Sequence, residues 1–76
     1  MNNSRRKRIN QSILALTDAK DKMQKALEEE KSAIARTPDD DEHEEMREAM
    51  DEIISNLEES ISSLEDAIDT LNNADF

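Results

Sequence analysis

The sequence predicts an all-α fold: an antiparallel hairpin of two long helices, which pairs with a second copy into a four-helix bundle. Three observations point there. The chain has no Gly, one Pro and one aromatic residue, and 39% of it is charged. Its apolar residues recur at alternating steps of four and three, the repeat of a helix seam. A single Thr-Pro-Asp break divides it into two halves of similar length.

Composition sets the limits first. Seventy-six residues make one domain, residues 1 to 76, and two long helices leave about half of each facing water, so the core is marginal. The abundance of Glu, Asp, Ala, Leu, Ile, Ser and Lys is that of long helices and coiled coils. With no cysteine there is neither a disulfide framework nor a thiolate metal site, which makes the reducing cytoplasm the expected compartment. No apolar run follows the basic start to serve as a signal segment or membrane span, so no membrane partner is expected.

The first helix is expected over about residues 4 to 36. Its seam is Ile9, Ile13, Leu16, Met23, Leu27 and Ile34, with Lys20 and Glu30 in two slots where an apolar residue is due. The second is expected over about residues 38 to 74, with a seam of Met46, Met50, Ile53, Leu57, Ser60, Leu64, Ala67, Leu71 and Ala74. Leu57 to Ile61 and Leu64 to Ile68 form a near-repeat of seven. Between the helices a turn at about residues 36 to 38 reads as stop and restart. Thr37 suits an N-cap, Pro38 a first helical position, and Asp39 to Asp41 the positive end of the dipole.

So short a connection makes the helices antiparallel neighbours. The expected register sets Ile34 against Met46, Leu27 against Ile53, Met23 against Leu57, Leu16 against Leu64 and Ile9 against Leu71. It also sets Lys20 opposite Ser60, so that the polar interruptions share one layer. The alternative is one continuous rod, because a Pro at a first helical position need not reverse the chain.

Ile54, Ile61 and Ile68 fall one position beyond this seam, on a flank beside Asn10, Thr17, Gln24 and Lys31. Each is worth about 1.5–3 kcal/mol when fully buried. One reading makes them, with Leu57 and Leu64, an interface for a second copy or a partner helix. The other makes them the widened apolar face of the intramolecular seam.

Charge divides the chain. Residues 1 to 36 carry nine basic and five acidic side chains, whereas residues 37 to 76 carry Arg47 alone against fifteen acidic ones. The net charge of −10 argues against nucleic acid and anionic membranes as partners and for something basic. The second helix carries about one net negative charge per 4 Å, close to the spacing of a single nucleic-acid strand. Glu44, Glu45, Glu48, Glu52, Glu58, Glu59, Glu65 and Asp66 are the candidate acidic face for a basic protein, by nucleic-acid mimicry or simple capture. A solvated helix face is the plainer reading. Arg5, Arg6, Lys7 and Arg8 oppose the dipole at the start of the first helix. Weak phosphate contact is one use for them, without an aromatic residue nearby to stack bases. An internal contact between Arg5 and Asp75 is another.

Catalysis, cofactor and metal find no footing here. His43 is the only histidine, with no second at the spacing of a helical metal pair and no glycine to shape a calcium loop, so it reads as a surface residue. Ser55, Ser60, Ser62 and Ser63 have no histidine within reach, and the carboxylates are exposed helix charges with nothing to separate their pKa values.

Taken together, the Arg5-Arg6-Lys7-Arg8-Ile9 opening, the Thr37-Pro38-Asp39 break, Ala49-Met50-Asp51-Glu52-Ile53 and Leu64-Glu65-Asp66-Ala67-Ile68 resemble small acidic coiled-coil hairpin proteins of bacteriophages and prophages. That resemblance implies a phage or mobile-element origin and a place in the bacterial host cytoplasm. It also implies a role in handling a host or phage protein, such as inhibition of a defence system or of a nucleic-acid enzyme. The expected function is non-enzymatic protein binding, with an assembly subunit of a larger complex as the alternative.

Overall fold

A computed structural model describes residues 3 to 74. Helix α1 spans Asn3–Arg36, a one-turn 3-10 helix spans Asp41–His43, and helix α2 spans Glu44–Asn72. No strand occurs among the described residues.

The two helices lie side by side. An end-to-end rod of this many helical residues would be about 95 Å long at about 1.5 Å per residue, whereas the molecule measures 60 × 14 × 13 Å. The rod alternative is thereby removed.

The expected boundaries hold for α1, but α2 begins later. Helix axes that pack side by side are about 8–10 Å apart, and an extended residue advances about 3.5 Å, so the expected turn at about residues 36 to 38 leaves almost no slack for reversing the chain. Thr37 to Asp40 make the crossing instead. Thr37 closes α1 rather than capping α2: its N–H donates to the Ile34 carbonyl (3.1 Å) and its hydroxyl to the Ala33 carbonyl (2.9 Å). The restart is capped by Asp40, in extended geometry at φ −139°, whose carboxylate accepts from the His43 N–H at 3.0 Å. At the other end Asn73 caps α2, its N–H meeting the Asp69 carbonyl at 3.0 Å. Ala74 lies just outside the helix.

The seam of α1 is the expected one: Ile9, Ile13, Leu16, Met23, Leu27 and Ile34 are half-buried, and so are Lys20 and Glu30. The seam of α2 is rotated from expectation. Ile61 and Ile68 are the only buried residues described, and Arg47, Met50, Ile54, Leu57, Leu64 and Leu71 are half-buried along the same line. Met46 and Ile53 are 55% and 46% exposed, and Ser60, Ala67 and Ala74 are exposed as well. The reason is steric and hydrophobic together. A seam through Ile54, Ile61 and Ile68 buries three β-branched chains, where one through Ile53, Ser60 and Ala67 buries one.

Rotation brings a change of register. The expected alignment set Thr37 opposite His43 and Lys31 opposite Ala49. Instead the Thr37 hydroxyl lies 3.8 Å from the Met50 sulfur and the Lys31 ammonium 3.9 Å from the Glu58 carboxylate, partners about two turns or more further along α2. The proposed Lys20–Ser60 layer does not form, because Ser60 faces away from the seam.

Candidate protein-binding surface

Antiparallel heptads have two flanks beside the seam, and the sequence assigns them opposite characters. On one flank Asn10, Thr17, Gln24 and Lys31 of α1 run beside Glu44, Asp51, Glu58 and Glu65 of α2. Lys31 and Glu58 meet there, both about half exposed, so the pair adds little stability. On the other flank Ala19, Ala26 and Ala33 run beside Met46, Ile53, Ser60 and Ala67, without a charge among them.

The outward side of α2 carries a ridge of carboxylates at steps of seven: Glu45, Glu52, Glu59 and Asp66, all exposed. This spacing keeps them nearly in line on a helix, and no basic side chain of α2 interrupts them. The remaining expected acidic residues divide between the polar flank (Glu44, Glu58, Glu65) and the hairpin tip (Glu48).

At that tip the chain builds an acidic concavity of about 320 Å³, lined by Asp39, Asp40, Asp41, Glu44, Glu48 and Asp51 around Arg47. Arg47 is structural. Its Nη1 donates to the carbonyls of Ile34 (3.1 Å) and Thr37 (2.8 Å), and its Nε lies 3.8 Å from Asp39 Oδ1. A cation at the carbonyl end of α1 both satisfies acceptors that the helix leaves open and complements its dipole.

Sequence reasoning missed Arg47. The signal was present: 47, 50, 54, 57, 61, 64, 68 and 71 continue an unbroken alternation of three and four, which places Arg47 at the seam.

His43 completes the tip. Its Nδ1 lies 2.6 Å from Asp40 Oδ1, and this hydrogen bond holds the exposed Asp40 carboxyl below the usual carboxylate range. Asp40, Glu42 and His43 offer ligand atoms within 4.8 Å of one another. Two of these three are already used on each other as a helix cap, which is a sufficient reason for their proximity.

The other expected site residues are also placed. Of the two readings of Ile54, Ile61 and Ile68, with Leu57 and Leu64, their burial fits the widened seam against α1: Ile61 and Ile68 are buried and the other three half-buried. Arg5, Arg6, Lys7 and Arg8 are exposed on the first turns of α1, and the expected Arg5–Asp75 contact involves a residue outside those described. No described helix is long and apolar enough to cross a membrane. In comparisons with known proteins, no family model, no curated protein and no solved structure matches the chain.

Proposed function

We propose that this hairpin is a non-enzymatic binding module that self-associates into a four-helix bundle and presents the acidic outer side of α2 to a basic protein surface. The observation that carries this reading is the separation of roles on α2. Most of its large apolar residues are engaged within the hairpin, Met46 and Ile53 excepted, while Glu45, Glu52, Glu59 and Asp66 stand outward in register on a helix whose net charge as a whole is about one negative charge per 4 Å, close to a nucleic-acid strand. A partner surface evolved for a phosphate backbone fits such a ridge through salt-sensitive contacts. The resemblance to phage hairpins supports a host or phage protein as that partner, in the bacterial cytoplasm, and modulation or inhibition as the outcome.

Paired affinity captures from bacterial lysate test the reading. One bait is the natural chain and the other carries Glu45→Lys, Glu52→Lys and Glu59→Lys, with helicity checked by circular dichroism. The proposal expects a basic protein retained by the first, released by salt and absent from the second. Equal retention by both baits contradicts it. An assembly subunit of a larger complex is the second reading, favoured by a core of only two buried side chains among the described residues. It expects the isolated chain to be poorly helical.

A further inference from the structure

The hairpin leaves most of the charge-free flank exposed, with only Ala19 and Ala33 half-buried. In a chain of which 39% is charged, Ala19, Ala26 and Ala33 of α1 and Met46, Ile53, Ser60 and Ala67 of α2 bring no charge to one side of the molecule. The next row on α2, Ala49, Asn56, Ser63 and Thr70, is uncharged too. Met46 and Ile53 are two of the three large apolar side chains that the hairpin leaves most exposed. Alanines opposite them allow a facing backbone to approach closely.

We propose that a second copy of this chain covers this flank, with α1 of each copy lying against α2 of the other and both hairpin tips at the same end. The inference rests on the self-association proposed above and identifies its surface, which is not the isoleucine stripe that the sequence suggested.

Charge selects the occupant and its orientation. The first 36 residues carry nine basic and five acidic side chains, and the remainder one basic and fifteen acidic. A twofold axis along the hairpin sets the basic helix of each copy against the acidic helix of its neighbour. The alternative, with the axis across the hairpin, opposes α2 to α2 and pays like-charge repulsion along the whole length. In the chosen arrangement the edge of α1 formed by Arg8, Ala15, Lys22, Glu29 and Arg36, basic on balance, borders the near side of the ridge of Glu45, Glu52, Glu59 and Asp66. All of these are exposed, and Lys22 already pairs with Asp18 at 3.1 Å on its own helix. Area agrees as well. One side of a body 60 Å long and 14 Å wide offers roughly 800 Å², about what each partner contributes to a standard interface.

Sedimentation equilibrium at tens of micromolar tests this, with circular dichroism reporting on the hairpin. The natural chain should sediment as a dimer. Ile53→Glu should weaken association about tenfold or more while remaining helical, and Leu14→Glu, at an exposed position away from the flank, should leave it unchanged. A natural chain that is monomeric overturns self-association altogether. A dimer indifferent to Ile53→Glu, or one broken by Leu14→Glu, overturns this flank and leaves self-association standing. For orientation, Pro38→Cys gives a chain with one cysteine at the tip, suited to spin labelling. Dipolar distances well below the 60 Å length of the molecule are expected, and distances near that length overturn the proposed axis.

Discussion

The Arg47 guanidinium donates to the Thr37 carbonyl at 2.8 Å, joining the first seam position of α2 to the residue that ends α1. With its second bond to Ile34, it fixes both the crossing of the chain and the rotation of α2. Replacing Arg47 by Ala leaves those carbonyls without this donor in a half-buried turn, at a cost of about 1.5–3 kcal/mol. Urea unfolding of Arg47→Ala should show the loss, and Arg47→Lys should restore part of it, since an ammonium keeps the charge without the fork. Unchanged midpoints for both variants would remove Arg47 from this role.

Stability should be concentrated in α2's isoleucines. Ile61→Ala is expected to cost about 2–4 kcal/mol, a large share of what so small a core supplies. Leu14→Ala, at a position 70% exposed, should stay within about 0.5 kcal/mol. Thermal melts of the two variants give the comparison, and similar losses would contradict the assigned seam.

The polar seam residues should be costly to stability and useful for register. Lys20→Leu should raise stability by about 1 kcal/mol, because an apolar chain then fills a half-buried slot. Its accompanying signature is a broader set of helix alignments, read as doubled amide resonances near residue 20. A stability loss on substitution would assign Lys20 an attractive partner across the seam.

The helix cap at the tip predicts a pH dependence. Asp40 has its carboxyl held below the usual range by the His43 hydrogen bond, so the ionised form is favoured in the folded state. Its stabilisation is therefore fully present above the unfolded carboxylate value of about 3.9 and is lost as pH falls through the lower folded value. Asp40→Asn, which still caps, should flatten this acid limb of the melting temperature. An unchanged limb would place the acid sensitivity elsewhere.

How far the sequence was legible depends on the element. Helix α1 was readable to its C-terminal end because its apolar residues form one unambiguous line and Thr37-Pro38 stops it. For α2 two lines compete, Met46–Ile53–Ser60–Ala67 and Arg47–Ile54–Ile61–Ile68, each continuous with Met50, Leu57, Leu64 and Leu71. The first begins with an apolar residue and the second with a charge, so local hydrophobicity alone favours the line that the structure does not bury. The alternation allows Arg47 at the seam, but what accepts its charge there, the carbonyls at the end of α1, is a tertiary fact no local pattern contains. The acidic residues were legible as exposed, yet their division into ridge, flank and tip followed only from the rotation of α2. Likewise, Asp40 rather than Thr37 caps the restart because chain reversal needs several residues, a constraint of helix separation rather than of capping preference.

The rotation of α2 decides which face binds α1, which presents carboxylates outward and which flank is left for the proposed second copy. Methionine methyl groups report on it directly, since Met46 and Met50 lie on the two competing lines. In a dilute sample of chain labelled at the methionine methyls, nuclear Overhauser spectra should connect Met50 to Thr37, whose hydroxyl lies 3.8 Å from its sulfur, and give Met46, which is 55% exposed, weaker contacts to α1 than Met50 gives. A strong Met46–Ile34 contact, with Met50 free of Thr37, would contradict the rotation and with it the assignment of all three faces.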